Sequence, residues 1–556
     1  NLHAEGTVRN EPQEVTGGVR LDRVAVDGVE LREEAEERPA WSVQSTILRL
    51  EPPEPVAPGE AVQVDVDWAF RIPRSGAGRM GWNGDDLFYL GYWYPQMAVY
   101  DDVVGWQIDL YLGRGEFYMG YGRYDVRLEV PEGWVVRATG RLRNAGAVFP
   151  DRIRERLERA GESDSVVHVL TREDFGPGSA TRDAEDGWLT WHFTAENVRD
   201  FAFSATRRSL WDAARTPVGD RDGDGETEYT RVEALYRPEA GRWSEVWRYS
   251  QHSIDFLSRF TGHPYPWPHM TAVEGGGIIG GGMEYPMMTI MGDYEARGDS
   301  ALYYVTAHEL AHMWLPMVVG TDEKRYAWMD EGTITFLENQ ARKEFFPGRD
   351  HDVPDRRDYV RMARRGDEVP VMTWMDYQYP MAGNVPNYDK PGTMLVALRH
   401  VLGDGTFREA LTTFVNEWAY RHPYPWDLFR TFERVSGRDL RWFWRSWYLE
   451  TWTLDHAVVA VEQGDGTATI RIEDQGWGVM PVPVAITLED GTILERAVPV
   501  DPWLQGRTTA EITVDVSSPV TRVEIDREGD LPDVDRADNV WTASGANAPR
   551  AAGGSP

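Results

Sequence analysis

The residues best suited to chemistry form one pentapeptide, His308-Glu309-Leu310-Ala311-His312. On a helix, positions i and i+4 share a face, so two imidazoles so spaced can bind one Zn2+. Glu309 lies beside them, placed to take a proton from a metal-activated water. The flanks read as helix: Tyr303 to Ala307 is apolar or small, and Met313-Trp314-Leu315 follows. A helix with two ordinary histidines would show the same five letters. Catalytic zinc needs a third protein ligand and an open position. Glu331 follows His312 by nineteen residues, inside the run Trp328-Met329-Asp330-Glu331-Gly332. A loop that folds back would aim it at the metal. An ordinary first-turn carboxylate, favoured by the helix dipole, is the alternative.

These residues need a scaffold. The first 240 or so residues read mainly as strands: segments 61–70 and 124–130 alternate apolar and polar side chains between Gly/Pro/Asp turns. One helical insert is expected at 151–160. From about Pro238 the period changes, with Trp243, Val246, Trp247, Ile254 and Leu257 at helical spacing. A glycine-rich, strand-like stretch, 270–290, follows. Helices are then expected at 301–318, 331–346, 356–365, 393–403, 405–421 and, with a break, 426–449. Asp330 is placed to N-cap the second of these. Strands return after Asp455, with Gly464-Asp465-Gly466 and Glu489-Asp490-Gly491 as hairpin turns. The end, from about Ser544, is rich in Gly, Ala, Ser and Pro and reads as flexible. The expected class is multidomain α+β: an N-terminal β domain at 1–238, a catalytic domain at 239–454, a C-terminal β domain at 455–541 and a tail at 542–556.

Further motifs add a resemblance. The His-Glu-x-x-His and Glu331 arrangement is that of the gluzincins; no third His follows at short range, which disfavours the metzincin pattern. Upstream, Gly281-Gly282-Met283-Glu284-Tyr285 resembles the Gly-x-Met-Glu-Asn motif of the aminopeptidase N family. Downstream, Tyr388-Asp389-Lys390 resembles that family's Tyr-x-Lys-Gly segment. The likeness is strongest from about 240 to 450. Tyr94-Pro95 to Asp101 is similar to the family's Phe-Pro-Cys-Phe-Asp stretch. The resemblance implies a β-sandwich-like first domain, a thermolysin-like zinc catalytic domain and, with no room for a long helical C-terminal domain, a small C-terminal β-sandwich. It implies a zinc aminopeptidase, with His308, His312 and Glu331 on the metal and Glu309 as general base. Tyr388 would donate to the oxyanion. Glu284 would pair with the substrate's α-ammonium, while Gly281, Gly282 and Met283 form the strand along which the peptide lies. A gluzincin endopeptidase, with Glu284 serving structure, and a non-catalytic scaffold are the competing readings. Two residues depart from the pattern: Tyr285 stands for Asn, and Pro391 separates Lys390 from Gly392. Glu338 could orient a zinc histidine from behind or be an exposed carboxylate. Asp86 and Gln96 are positional candidates for a second partner of the substrate amine.

Composition narrows the partners. The 556 residues carry a net charge of −33, which disfavours nucleic acid and anionic membranes. No apolar run reaches the roughly 18 residues of a membrane span. Cysteine is absent, so disulfides, thiolate metal sites and a Cys nucleophile are excluded. Only three lysines occur, Lys324, Lys343 and Lys390. The loop Asp220-Arg221-Asp222-Gly223-Asp224-Gly225 opens like a Ca2+ loop, but its twelfth position is Arg231, so a solvated hairpin competes with a bound ion. A location outside the cytoplasm is expected from the absent cysteine, the acidic composition and a start without Met.

Overall fold

The computed structural model describes residues 16–543 apart from 36, 76–77 and 85. The chain forms two compact units. Among the described residues, the first comprises those up to Lys324 with 344–347 and 415–423; the second comprises 325–343, 348–414 and those from Tyr424 onward.

The first unit is built mostly of sheet. Strands Gly122–Pro131 and Trp188–Val198 pair antiparallel, and the second alternates buried and exposed residues. Its inward face, with Leu189, Trp191 and Phe193, joins a core that includes Val136, Phe149, Trp211 and Met283. The expected insert is helix Asp151–Ala160. A six-stranded mixed sheet takes strands from both sides of residue 238: Glu228–Tyr236 runs parallel to His269–Glu274, which runs parallel to Met288–Met291. Helix Val246–Thr261 makes the first of these crossovers and stops at Gly262, whose φ of 66° suits a residue without Cβ. Strand Gly282–Tyr285 pairs antiparallel with Met288–Met291 and forms one edge of the sheet.

Helix Asp299–Ala311 starts two residues before the expected position and ends well before residue 318. Pro316 has no N–H to continue it. The chain closes instead through longer bonds, from Met317 N to His312 O, Val318 N to Met313 O and Val319 N to Trp314 O.

The main helical element of the second unit lies within Glu323–Phe345, bent at Tyr326 (φ −131°, ψ 51°). Asp330 is therefore not an N-cap; it lies inside the helix and is fully buried. Helical geometry extends upstream of it because Trp328 packs its ring against Phe429 and Tyr448, so tertiary burial outweighs the capping preference. Helices Val353–Ala363, Asp389–Leu402, Asp404–Trp418 and Pro425–Ser436 lie close to the expected ones. Gly437, with φ 64°, makes the expected break.

The C-terminal strands form sheets of three and four strands, with Ile470, Ile472, Val484, Ile486, Val523 and Ile525 between them. The Asp465-Gly466 turn has φ 51° and 77°, the left-handed pair that a tight hairpin demands. The last strand, Val540–Thr542, pairs with Val520–Ile525. Of the expected 542–556 tail, residues 544–556 lie outside the described residues. No helix among the described residues is long and apolar enough to cross a membrane.

Candidate active site

In the first unit, helix Asp299–Ala311 is buried on nearly every side, with Leu302, Tyr303, Val305 and Leu310 enclosed. Tyr303 stacks on Phe345 at 4.3 Å and meets His252 Nδ1 at 2.7 Å. Such all-round packing fixes the rotation of the helix, and hence the direction of its site residues. The imidazoles of His308 and His312 stand edge to face, 4.8 Å between ring centres. His312 Nδ1 donates to the Leu315 carbonyl at 3.1 Å. That bond selects the tautomer with its lone pair on Nε2, the form suited to a metal.

The edge strand supplies the other wall. Alternation sends Met283 and Tyr285 into the core and Gly282 and Glu284 toward the helix. Glu284 Oε1 lies 3.8 Å from His312 Nδ1. Gly282 lies so close to the Glu309 carboxylate that a Cβ there would overlap it. The glycine is required by this close approach. Gly281 sits just outside the strand, its carbonyl accepting from Gly292 N at 2.8 Å. Met283 is packed in the core, so any substrate contact from it comes through its backbone. Tyr285 packs against Tyr89 and Tyr92, on a bare Gly91, and donates to the Arg79 carbonyl. The replacement of the motif's Asn thus changes the core behind the strand.

In the second unit, the Tyr388 hydroxyl donates to Glu331 Oε1. Two glycines allow it. A Cβ on Gly332 would overlap the Pro391 ring, and one on Gly392 would crowd Thr335 at 3.0 Å. Pro391 falls in the first turn of helix Asp389–Leu402, where its missing N–H has no intrahelical partner to lose. The expected disturbance from Pro391 is absorbed there, and Tyr388 remains the residue that opens the helix. Asn387 and Gln378 exchange two amide bonds of 3.0 Å just before it. Lys390 is buried with its Nζ 2.9 Å from Glu368 Oε2, and burial lowers its pKa. Glu338 is also buried. Burial and the nearby Glu338 push the Asp355 carboxyl up to about 8.

Other candidates are placed differently. Asp86 is bound to Arg207 and Arg208 at 3.2 and 3.1 Å, and Gln96 donates to Tyr94 Oη and Asp200 Oδ1. In the acidic loop, Asp220, Asp222 and Glu228 offer oxygens within 4.8 Å of one another. Glu228, rather than Asp224, completes that group. Asp220 accepts from the amides of Gly223 and Gly225, and Asp224 from that of Glu226, as in a self-capped hairpin. Sequence reasoning missed Tyr89. Its phenol is fully buried, and burial, with Asp200, Glu309 and Glu284 nearby, raises its pKa well above the ordinary value. A lone tyrosine in a buried strand gives no local signal of such neighbours.

Residues 247–447 match the Peptidase family M1 domain. The rice (Oryza sativa subsp. japonica) aminopeptidase M1-C is 23% identical over 209 residues, which cover 35% of this chain and 24% of the rice protein. Aminopeptidase M1 of Arabidopsis thaliana is 23% identical over 235 residues, 38% of this chain and 26% of that protein. The chain thus spans about a quarter of the length of these curated relatives. A crystal structure of Legionella pneumophila aminopeptidase A in complex with aspartic acid superposes with a TM-score of 0.63 at 14% identity, over 93% of this chain and 54% of that one.

Proposed function

We propose that this member of the aminopeptidase N family, its M1 domain at residues 247–447, is a zinc-dependent aminopeptidase that hydrolyses the first bond of peptides with a free N-terminus. The carrying observation is the juxtaposition of helix and edge strand: two imidazoles 4.8 Å apart, the Glu309 carboxylate against Gly282, and Glu284 beside His312. Two imidazoles and the Glu331 carboxylate form a donor set that suits zinc, so His308, His312 and Glu331 would hold the ion. Zinc, when bound, supplies Lewis-acid polarisation of the scissile carbonyl and makes water a stronger acid.

The chain's own residues do the rest. Glu309 takes the proton of the attacking water and delivers it to the leaving amine nitrogen. Tyr388 donates to the oxygen on which negative charge develops, a bond stronger in the transition state than in the ground state. Its contact with Glu331 keeps the phenol oriented before substrate arrives. Glu284 pairs with the α-ammonium, which fixes the first residue and registers the first peptide bond at the reacting groups. The open edge of strand Gly282–Tyr285 receives the peptide backbone by strand addition, and Gly281 and Gly282 keep that path clear. The same proposal carries a location outside the cytoplasm, which fractionation of the source cells tests.

The test compares a dipeptide amide with its N-acetylated form, before and after chelation and zinc restoration. Cleavage of the free form alone, lost on chelation and restored by zinc, is the expected result. Equal cleavage of both overturns the role of Glu284, and activity that survives complete metal removal overturns the zinc centre.

A further inference from the structure

A second group of acids lies in the C-terminal β-sandwich, within the second unit. Three segments are tied together around it. Val534 N donates to Leu454 O at 2.9 Å, Val458 N to Asp538 O at 3.0 Å, and Gln475 N to Asp455 O at 2.7 Å. These bonds bring together the segments that carry Asp455, Asp474, Asp533 and Asp538. Asp533 is buried and anchors the group. Its oxygens accept from the amides of Asp535 and His456, both at 3.0 Å, and from Asn539 Nδ2 at 3.2 Å.

Two buried neighbours carry polar atoms without hydrogen-bond partners among the described residues. Asn539 is 1% exposed, its amide nitrogen rests on Asp533, and its Oδ1 has no donor among the described residues. His456 is 0% exposed, neither ring nitrogen has a hydrogen-bond partner there, and Nε2 lies 3.9 Å from Asp474 Oδ1. Asp455 Oδ1 is likewise enclosed without a donor. The nearby cation, Arg536, is turned to Asp526 at 2.6 Å. Enclosed acceptors without donors are costly unless something supplies positive charge.

We infer that a divalent cation of the calcium type binds here, held by the carboxylates of Asp455, Asp474, Asp533 and Asp538 with the Asn539 amide oxygen. An all-oxygen donor set is the kind that Ca2+ accepts, with six to eight ligands. The electrostatics agree. Burial pushes Asp455, Asp474 and Asp533 each up to about 6, with neighbouring aspartates adding to the rise at Asp455 and Asp474, while burial pulls His456 down to about 4. An ion that joins three chain segments stabilises the folded state by mass action.

The test is thermal unfolding of the full-length, zinc-loaded protein at pH 7.5, with 1 mM Ca2+, Mg2+ or added Zn2+, and Tb3+ luminescence excited through Trp503, whose ring stacks on His456. Calcium is expected to raise Tm by about 5 °C and to displace Tb3+. The double substitution Asp455→Asn with Asp474→Asn is expected to raise Tm in calcium-free buffer, by removing repulsion, and to abolish the calcium response at unchanged peptidase activity. Should that variant fail to fold, Asn539→Ala is expected to shift the calcium midpoint upward at least tenfold. No calcium response in the parent protein overturns the inference. So does a response that persists in these variants and vanishes with Asp220→Asn and Asp222→Asn, which would place the ion in the hairpin, and so does a preference for Zn2+ over Ca2+.

Discussion

Glu233 and Glu309 both lie in the first unit and are almost equally hidden, at 0% and 3% exposure. Their surroundings differ. Glu233 accepts two bonds from Arg137, at 2.7 and 2.8 Å, and one from Arg231 at 2.7 Å. Burial pushes its pKa up, but Arg137, Arg231 and then His269 pull harder, and it settles at about 2. Glu309 stands between two histidines in sequence and against a strand position stripped of its side chain. Burial alone therefore does not distinguish the carboxylate proposed as the base from one held in an ion pair. Arg137 and Arg231 hold the charge of Glu233, whereas Glu309 stands beside imidazoles and a bare glycine.

The largest expected effect is on turnover. Glu309→Gln should lower kcat by up to about 10,000-fold while zinc content and Tm stay near normal; near-normal kcat would dissolve the contrast. His312→Ala, unlike it, should lose the metal, as read by elemental analysis. Glu233→Gln should do the reverse. Unpairing the two arginines should cost about 3–5 kcal/mol of stability in denaturant titrations, with kcat per folded molecule unchanged. The pH dependence has a defined sign. The folded pKa of about 2 lies below the ordinary 4.5, so Glu233's contribution is complete above 4.5 and is lost as pH falls toward 2. The stability gap between parent and variant should narrow over that window and stay constant at neutral pH.

Smaller effects sharpen the comparison. Tyr388→Phe should reduce kcat by about 100- to 1,000-fold with little change in KM, since its bond forms in the transition state. Gly282→Ala should lower kcat by about tenfold, because the new methyl must displace the Glu309 carboxylate by a fraction of an ångström to an ångström. An unaltered rate in Gly282→Ala would show that the close approach of strand and helix does not position the base.

Local rules made much of the molecule legible. Helix Asp151–Ala160 lies where its charges and Ile153 predict, because its apolar face is written in 3.6-residue spacing. The hairpins at Asp465 and Asp490 follow from turn chemistry. The expectations that moved depend on distant partners. The Asp330 capping position gave way to a helix held upstream by the aromatic rings around Trp328. Tyr285 turned inward because strand alternation and Gly91 made room for it. Glu338 proved to be a buried neighbour of Asp355, which a helical carboxylate pattern cannot show.

The order of the motifs along the chain by itself pointed to the chemistry proposed. A helix places residues four apart on one side whatever surrounds it, so His308 and His312 were fixed as a pair by covalent geometry and backbone hydrogen bonding. The sequence could not decide which side chains would converge from hundreds of residues apart. Only the tertiary structure set Leu315 O on His312, Gly282 against Glu309, Tyr388 on Glu331 and three chain segments around Asp533. Those contacts arise from packing, in which every neighbour acts at once, and no short window of residues encodes them.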